Sequence, residues 1–101
     1  MLSKFRAYQD SVLFYHLACE LKLPRYLKDQ IERASSSVAL QLAEGSGKQG
    51  FADRRRYYQM ALGSVRECQA VLQLARVRQH EIVEAADRLG AQVYRLCSWR
   101  P

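Results

Sequence analysis

The chain is poor in residues that punctuate, staple or catalyse. Its 101 residues include two prolines, two histidines, one tryptophan and three cysteines. Cys19, Cys68 and Cys97 are an odd, scattered set without a CxxC pair, which argues against a disulfide framework or a zinc site. Each falls at or near an apolar stripe, where a thiol serves as small core filler. His16 and His80 have no second ligand three or four residues away, so both are read as structural or solvated and no metal is expected. No apolar run approaches the ~20 residues of a membrane span. The longest, Ser11 to Cys19, is interrupted by His16. Lys4, Arg6 and Asp10 break any signal-peptide core, so no membrane partner and a cytoplasmic location are expected.

Acidic residues are also scarce. Sixteen Lys and Arg stand against ten Asp and Glu, giving a net charge of +6 and a pI of about 9.6. Between Lys48 and Arg78, seven basic residues face only Asp53 and Glu67. Such an excess suits an acidic partner, most often nucleic acid.

What the chain has in quantity is apolar residues, at 49%. Their spacing is helical. Four helices are expected, over 3–21, 24–44, 51–77 and 80–99. On the first, Phe5, Tyr8, Val12, Tyr15 and Cys19 share a face, and Phe14, Leu17 and Leu21 form a second line. On the second, Leu27, Ile31, Ala34, Val38 and Leu42 alternate steps of four and three, the stripe of a bundle. Tyr58, Ala61, Leu62, Val65, Cys68, Leu72 and Ala75 mark the third. Ile82, Ala86, Leu89, Val93 and Leu96 mark the fourth, weakened but not ended by Gly90. Short turns bring each helix straight back on the one before. The expected fold is therefore all-α, a single domain over 1–101 forming an antiparallel up-down-up-down four-helix bundle.

One core does not absorb every apolar side chain. Leu40 faces away from its own stripe, and Met60, Gly63, Ala70 and Leu74 lie on or toward the far side of the third helix. A second apolar line on several helices points to self-association, with Leu40, Met60, Gly63 and Leu74 at the interface.

The Gly-rich stretch from Gly45 to Gly50 invites comparison with a phosphate-binding loop. Such a loop needs G-x-x-x-x-G-K-[ST] after a buried strand. Here Gln49 follows Lys48, Leu42 stands where the first glycine belongs, and a helical stripe precedes it. The alternative is a helix–helix turn. Gly45 or Gly47 would close the second helix in a left-handed conformation. Gly50 would cap the third, with Asp53 at the positive end of its dipole.

Four blocks carry a resemblance: Ile31 to Ala34; Ser37-Val38; Ala43-Glu44-Gly45-x-Gly47-Lys48; and Ala61-Leu62-Gly63-Ser64-x-x-Glu67. Their residues and separations resemble the 23S rRNA intervening-sequence protein family, small bacterial four-helix bundle proteins. The family's usual Asn is Gln41 here, its Arg is Lys48, its capping Ser is Gly50, and its Glu-Phe is Asp53-Arg54. The resemblance implies a bundle that often assembles into a ring-like pentamer. It also implies kinship with the accessory variability determinant of diversity-generating retroelements, basic pentameric barrels that bind nucleic acid and partner a reverse transcriptase.

The candidate nucleic-acid contacts are Lys48, Arg54, Arg55, Arg56, Arg66 and Arg78. Arg offers a planar fork for phosphate oxygens. Arg55 and Arg66 fall on one flank of the third helix, Arg56 and Arg78 on another. Arg54 lies near the core stripe but at the helix end, where it can reach solvent. Tyr57 and Tyr58 are expected to be buried. Glu44 and Glu67 have no His, Ser or Cys in a compelling relation to either, so they are read as ion-pair partners of arginines such as Arg33 or Arg66. No catalytic residue and no cofactor is expected. Two readings stay open: a non-enzymatic oligomer that binds RNA or RNA/DNA through its backbone, or a protein-interaction scaffold whose charge serves solubility.

Overall fold

The computed structural model describes residues 2–98. A 3-10 turn at Leu2–Lys4 leads into four α-helices: α1 (Arg6–Cys19), α2 (Arg25–Ser46), α3 (Phe51–Leu74) and α4 (His80–Ser98). Each packs antiparallel to the next, and α4 returns against α1 to close the bundle. The rod measures 41 × 22 × 21 Å. Its length follows from the 22 residues of α2 and the 24 of α3, at about 1.5 Å of rise per residue. No helix among the described residues is long and apolar enough to cross a membrane.

The core stripes of α2, α3 and α4 lie where the periodicity puts them. Ile31, Ala34, Val38 and Leu42 are buried on α2, as are Tyr58, Ala61, Val65 and Cys68 on α3 and Ile82, Ala86, Leu89 and Val93 on α4. The first helix is turned from its expected orientation. Its buried residues are Ala7, Ser11, Phe14 and Ala18, continued by Leu21. Phe14 and Leu21, read from the sequence as a second line, belong to the core. Phe5 and Tyr8 pack at its margin, and Val12, Tyr15 and Cys19 are half-buried. The misreading has a specific cause. A serine and two alanines mark the true stripe, so the larger side chains beside it outweigh it. Ser11 tolerates full burial because its Oγ donates to the Tyr8 carbonyl at 2.6 Å, which leaves no unsatisfied hydroxyl.

The third helix ends three residues earlier than expected. The Val77 amide donates to the Leu72 carbonyl and the Arg76 amide to that of Gln73, at 2.9 and 3.1 Å. These paired bonds form a Schellman cap. They require the residue after the C-cap to be left-handed, and Arg76 takes φ of 55°. The expected end of the fourth helix, Trp99, lies outside the described residues. Gly90 sits inside α4 without interrupting it.

Candidate nucleic-acid interface

The α2–α3 turn is a plain corner, as expected, but it closes differently. No glycine among the described residues has positive φ. Gly47 caps α2 in a right-handed conformation at φ −86°. Gly45 lies within α2 and is buried. Its missing side chain is explained by packing. A Cβ there would come within 2.8 Å of the Tyr58 ring and 3.0 Å of Tyr57 Cβ, so the glycine lets α3 approach closely. Gly50 caps α3 with extended backbone, and Asp53 occupies the first turn.

Arginines serve backbone carbonyls here. Arg54 donates from its terminal nitrogen to the Lys48 carbonyl at 2.9 Å. It therefore braces the α2–α3 turn, two residues beyond the end of α2, while half-buried, where the sequence suggested that it reaches solvent. Its Nε is buried without a partner among the described residues. Arg55 Nε donates to the Cys97 carbonyl at 3.0 Å, in the last turn of α4. A basic side chain suits the Cys97 site because the final carbonyls of a helix lack internal donors and carry its negative pole.

Tyr57 departs from expectation. It is only half-buried, and its ring meets two cations. Lys48 Nζ lies 5.2 Å from the ring centroid and the Arg56 guanidinium 4.7 Å. Such contacts hold cationic heads near a π face at modest energy. Tyr58 is buried as expected and lies against Phe5, with centroids 6.0 Å apart. Burial pushes its hydroxyl above the ordinary phenol range.

The contacts of Phe5, Arg54 and Arg55 bring the start of α1, the α2–α3 turn and the end of α4 to one end of the rod. Lys4, Arg6, Lys48, Arg54, Arg55, Arg56 and Arg95 gather there. Against them stand Glu44, Asp53 and, one turn into α1, Asp10, which accepts from Gln92 at 2.8 Å and lies 3.9 Å from Arg88. Lys48 pairs with Glu44 at 3.2 Å, and Arg56 touches Asp53 at 4.0 Å. No carboxylate among the described residues pairs with Lys4, Arg6 or Arg95. These three were absent from the sequence-derived set, because they lie 40 to 50 residues from the Arg54–Arg56 run and only the fold joins them to it.

Two expected members lie elsewhere. Arg66 sits two-thirds of the way along α3, donating to Gln69 Oε1 at 2.9 Å. Arg78 lies in the α3–α4 connection at the opposite end, because α3 stops at Leu74; it shares no helical flank with Arg56. Glu67 accepts from Arg33 at 2.6 Å and also from Gln30, as anticipated for Arg33. Glu44 takes Lys48 as its partner in place of an arginine. His80 contacts Glu84 at 2.9 Å on the exposed start of α4. The Cys68 thiol is pushed up to about 12 by burial, and Cys97 is raised for the same reason. Both thiols are therefore poor nucleophiles at neutral pH.

The outer face of α2 and α3 carries much of the leftover apolar surface, with Leu13 and Tyr94 exposed on α1 and α4. Tyr26, Leu40 and Leu74 are 69–72% exposed, Met60 is 44% exposed, and Gly63 is exposed beside them. Tyr26, Arg33 and Leu40 are spaced by seven on α2, as are Met60, Glu67 and Leu74 on α3. The Arg33–Glu67 pair sets the register. It places Leu40 across from Met60 and Tyr26 across from Leu74, so an ion pair divides an apolar strip. Tyr26 is a further member that the sequence reading missed.

No curated protein matches the chain. The model of the 23S rRNA-intervening sequence protein family matches residues 4–99. The match spans all four helices, and the chain belongs to that family.

Proposed function

We propose that this protein is a non-enzymatic, self-associating helical bundle of the cytoplasm that binds nucleic acid through its phosphate backbone. The observation that carries the reading is the bundle end where seven cations meet three carboxylates. Arg54 and Arg55 are engaged with backbone carbonyls and Lys48 is half-buried and paired with Glu44, which leaves Lys4, Arg6, Arg56 and Arg95 as the exposed contacts. They present charge without a pocket, a geometry that grips phosphates and does not read bases. RNA is the favoured ligand. The family resemblance extends the reading to a ring, five subunits in number, and to a reverse transcriptase as partner.

The test is fluorescence anisotropy with a labelled RNA over a salt series. Affinity should fall steeply with salt, with a slope near −0.7 per phosphate contacted for a single strand. Changing Arg6, Arg56 and Arg95 to Glu should abolish binding at low salt and leave the melting temperature within a few degrees. Undiminished binding by that variant would overturn the reading.

The apolar strip supports a second reading, a protein-interaction scaffold. Four large exposed apolar side chains on one face exceed the scattered exposure of an ordinary monomer. In both readings Leu40→Glu with Leu74→Glu should reduce the mass measured by sedimentation to that of one chain. Only the scaffold reading leaves RNA unbound by the wild type.

A further inference from the structure

On the opposite side of α3 from the apolar strip, a shallow groove of about 390 Å3 runs between α3 and α4. Arg66 and Gln69 form one wall, and Asp87, Gly90, Ala91 and Tyr94 form the other. We propose that this groove seats an unpaired nucleobase on Tyr94, so that the protein prefers single-stranded nucleic acid to duplex. The inference rests on the nucleic-acid reading above and deepens it from backbone to base.

The groove is shaped around Arg66. A Cβ at Gly90 would lie 3.2 Å from the Arg66 guanidinium and 3.0 Å from Gln69 Nε2. The arginine head therefore lies across the α4 backbone at a place any side chain would crowd. Gln69 fixes it there, accepting from Arg66 at 2.9 Å while donating to the Ala86 carbonyl at 3.4 Å. No carboxylate among the described residues pairs with Arg66, so most of its donors remain available.

Asp87, Ala91 and Tyr94 follow at helical spacing along the exposed side of α4, and Tyr94 is 56% exposed. The seven helical steps from Asp87 to Tyr94 span about 10 Å. Within that length the groove offers an aromatic face, a donor fork and an acceptor carboxylate. An unpaired base needs that combination: a surface to stack on and partners for an edge that mixes donors and acceptors. In a duplex the faces are stacked and the pairing edges occupied. Asp87 also argues against a simple phosphate seat, because a carboxylate repels phosphate but accepts from an exocyclic amine. Tyr94 lies one turn from the basic end, where Arg55 donates to the Cys97 carbonyl three residues beyond it. A strand held there by its phosphates can turn one base into the groove.

The test uses the full chain and two probes, a labelled mixed-sequence 20-nucleotide RNA and the same RNA annealed to its complement. Tyr94→Ala should weaken the single strand at least fivefold and leave the duplex unchanged, whereas Tyr94→Phe should bind both like the wild type. Gly90→Leu, whose side chain would fill the space beside Gln69 and Arg66, should also lose single-strand affinity selectively. Equal single-strand affinity in Tyr94→Ala and wild type would overturn the proposal. So would an equal loss on both probes, or a change in assembly mass that assigned the ring to a subunit contact. If the wild type bound neither probe, the nucleic-acid reading would fall with it; if it bound both and Tyr94→Ala matched it, this proposal alone would fall.

Discussion

The two ends of the bundle solve one problem with different charge balances. At each, a helix must stop and its last carbonyls must find donors. At the end formed by the α2–α3 turn, Arg54 and Arg55 reach the Lys48 and Cys97 carbonyls. At the other, Lys28 Nζ from the first turn of α2 reaches back to the Cys19 carbonyl at 2.6 Å. A basic side chain from a neighbouring helix caps α4 and α1 in this way, and Arg54 braces the turn that follows α2. The surroundings differ. At the second end Lys22, Arg25, Lys28, Arg76 and Arg78 are balanced by Glu20, Asp29, Glu32, Glu81 and Glu84. Lys28 itself pairs with Glu32 at 3.2 Å, and Arg25 with Asp29 at 3.8 Å. At the first end no such balance exists. Capping accounts for cations at both ends; it does not account for a surplus at one. The surplus is the part of the charge that calls for a partner.

The contrast breaks most visibly at Gly45. Only the turn end depends on a bare backbone for helix approach. Gly45→Val pushes a branched side chain into the Tyr58 ring and should cost about 2–3 kcal/mol by overpacking. For a domain of this size that lowers the melting temperature by roughly 10 °C or more. An unchanged melting curve would mean that α2 and α3 do not close on each other there.

Removing one such donor at each end sharpens the charge comparison. Arg54→Met and Lys28→Met each delete a charge-assisted hydrogen bond, with a loss of about 1–2 kcal/mol in urea unfolding. Arg54→Met also relieves repulsion among neighbouring cations, whereas Lys28→Met forfeits the attraction of Glu32. At low salt the Lys28 variant should therefore be the less stable of the two. Added salt screens both the repulsion and the attraction, so the two losses should converge. A gap independent of salt would show that the surplus charge is not felt at Arg54.

Much of this was legible in the sequence where large apolar residues carried the pattern. The stripes of α2, α3 and α4 and the outward facing of Leu40, Met60 and Leu74 followed directly from spacing. The first helix was not legible in the same way, because Ala7, Ser11 and Ala18 define its buried face and contribute little hydrophobic signal. Four of the seven cations of the candidate site were readable, the run Arg54 to Arg56 and Lys48. Lys4, Arg6 and Arg95 were not, since no local pattern tells which distant charges a closed bundle sets side by side. The roles of Arg54 and Arg55 as donors to backbone carbonyls were hidden for the same reason: a carbonyl in need of a donor leaves no mark in the sequence.

The smallest effects should come from exchanging backbone types between the two ends. Arg76 holds φ of 55°, a conformation that costs a side-chain-bearing residue about 1–2 kcal/mol. Arg76→Gly removes that cost but adds about 0.4–1 kcal/mol of unfolded-chain entropy. A net gain of about 0.5–1 kcal/mol follows. Gly47 presents the mirror case, a glycine at φ −86° whose added Cβ would come no nearer than 3.6 Å to its neighbours. Gly47→Ala should gain about 0.4–1 kcal/mol, by restricting the unfolded chain. One end is thus stabilised by gaining a glycine and the other by losing one, measurable as two small upward shifts in melting temperature. A destabilised Arg76→Gly would mean that the arginine side chain earns its place at the α3–α4 corner through contacts that outweigh its backbone strain.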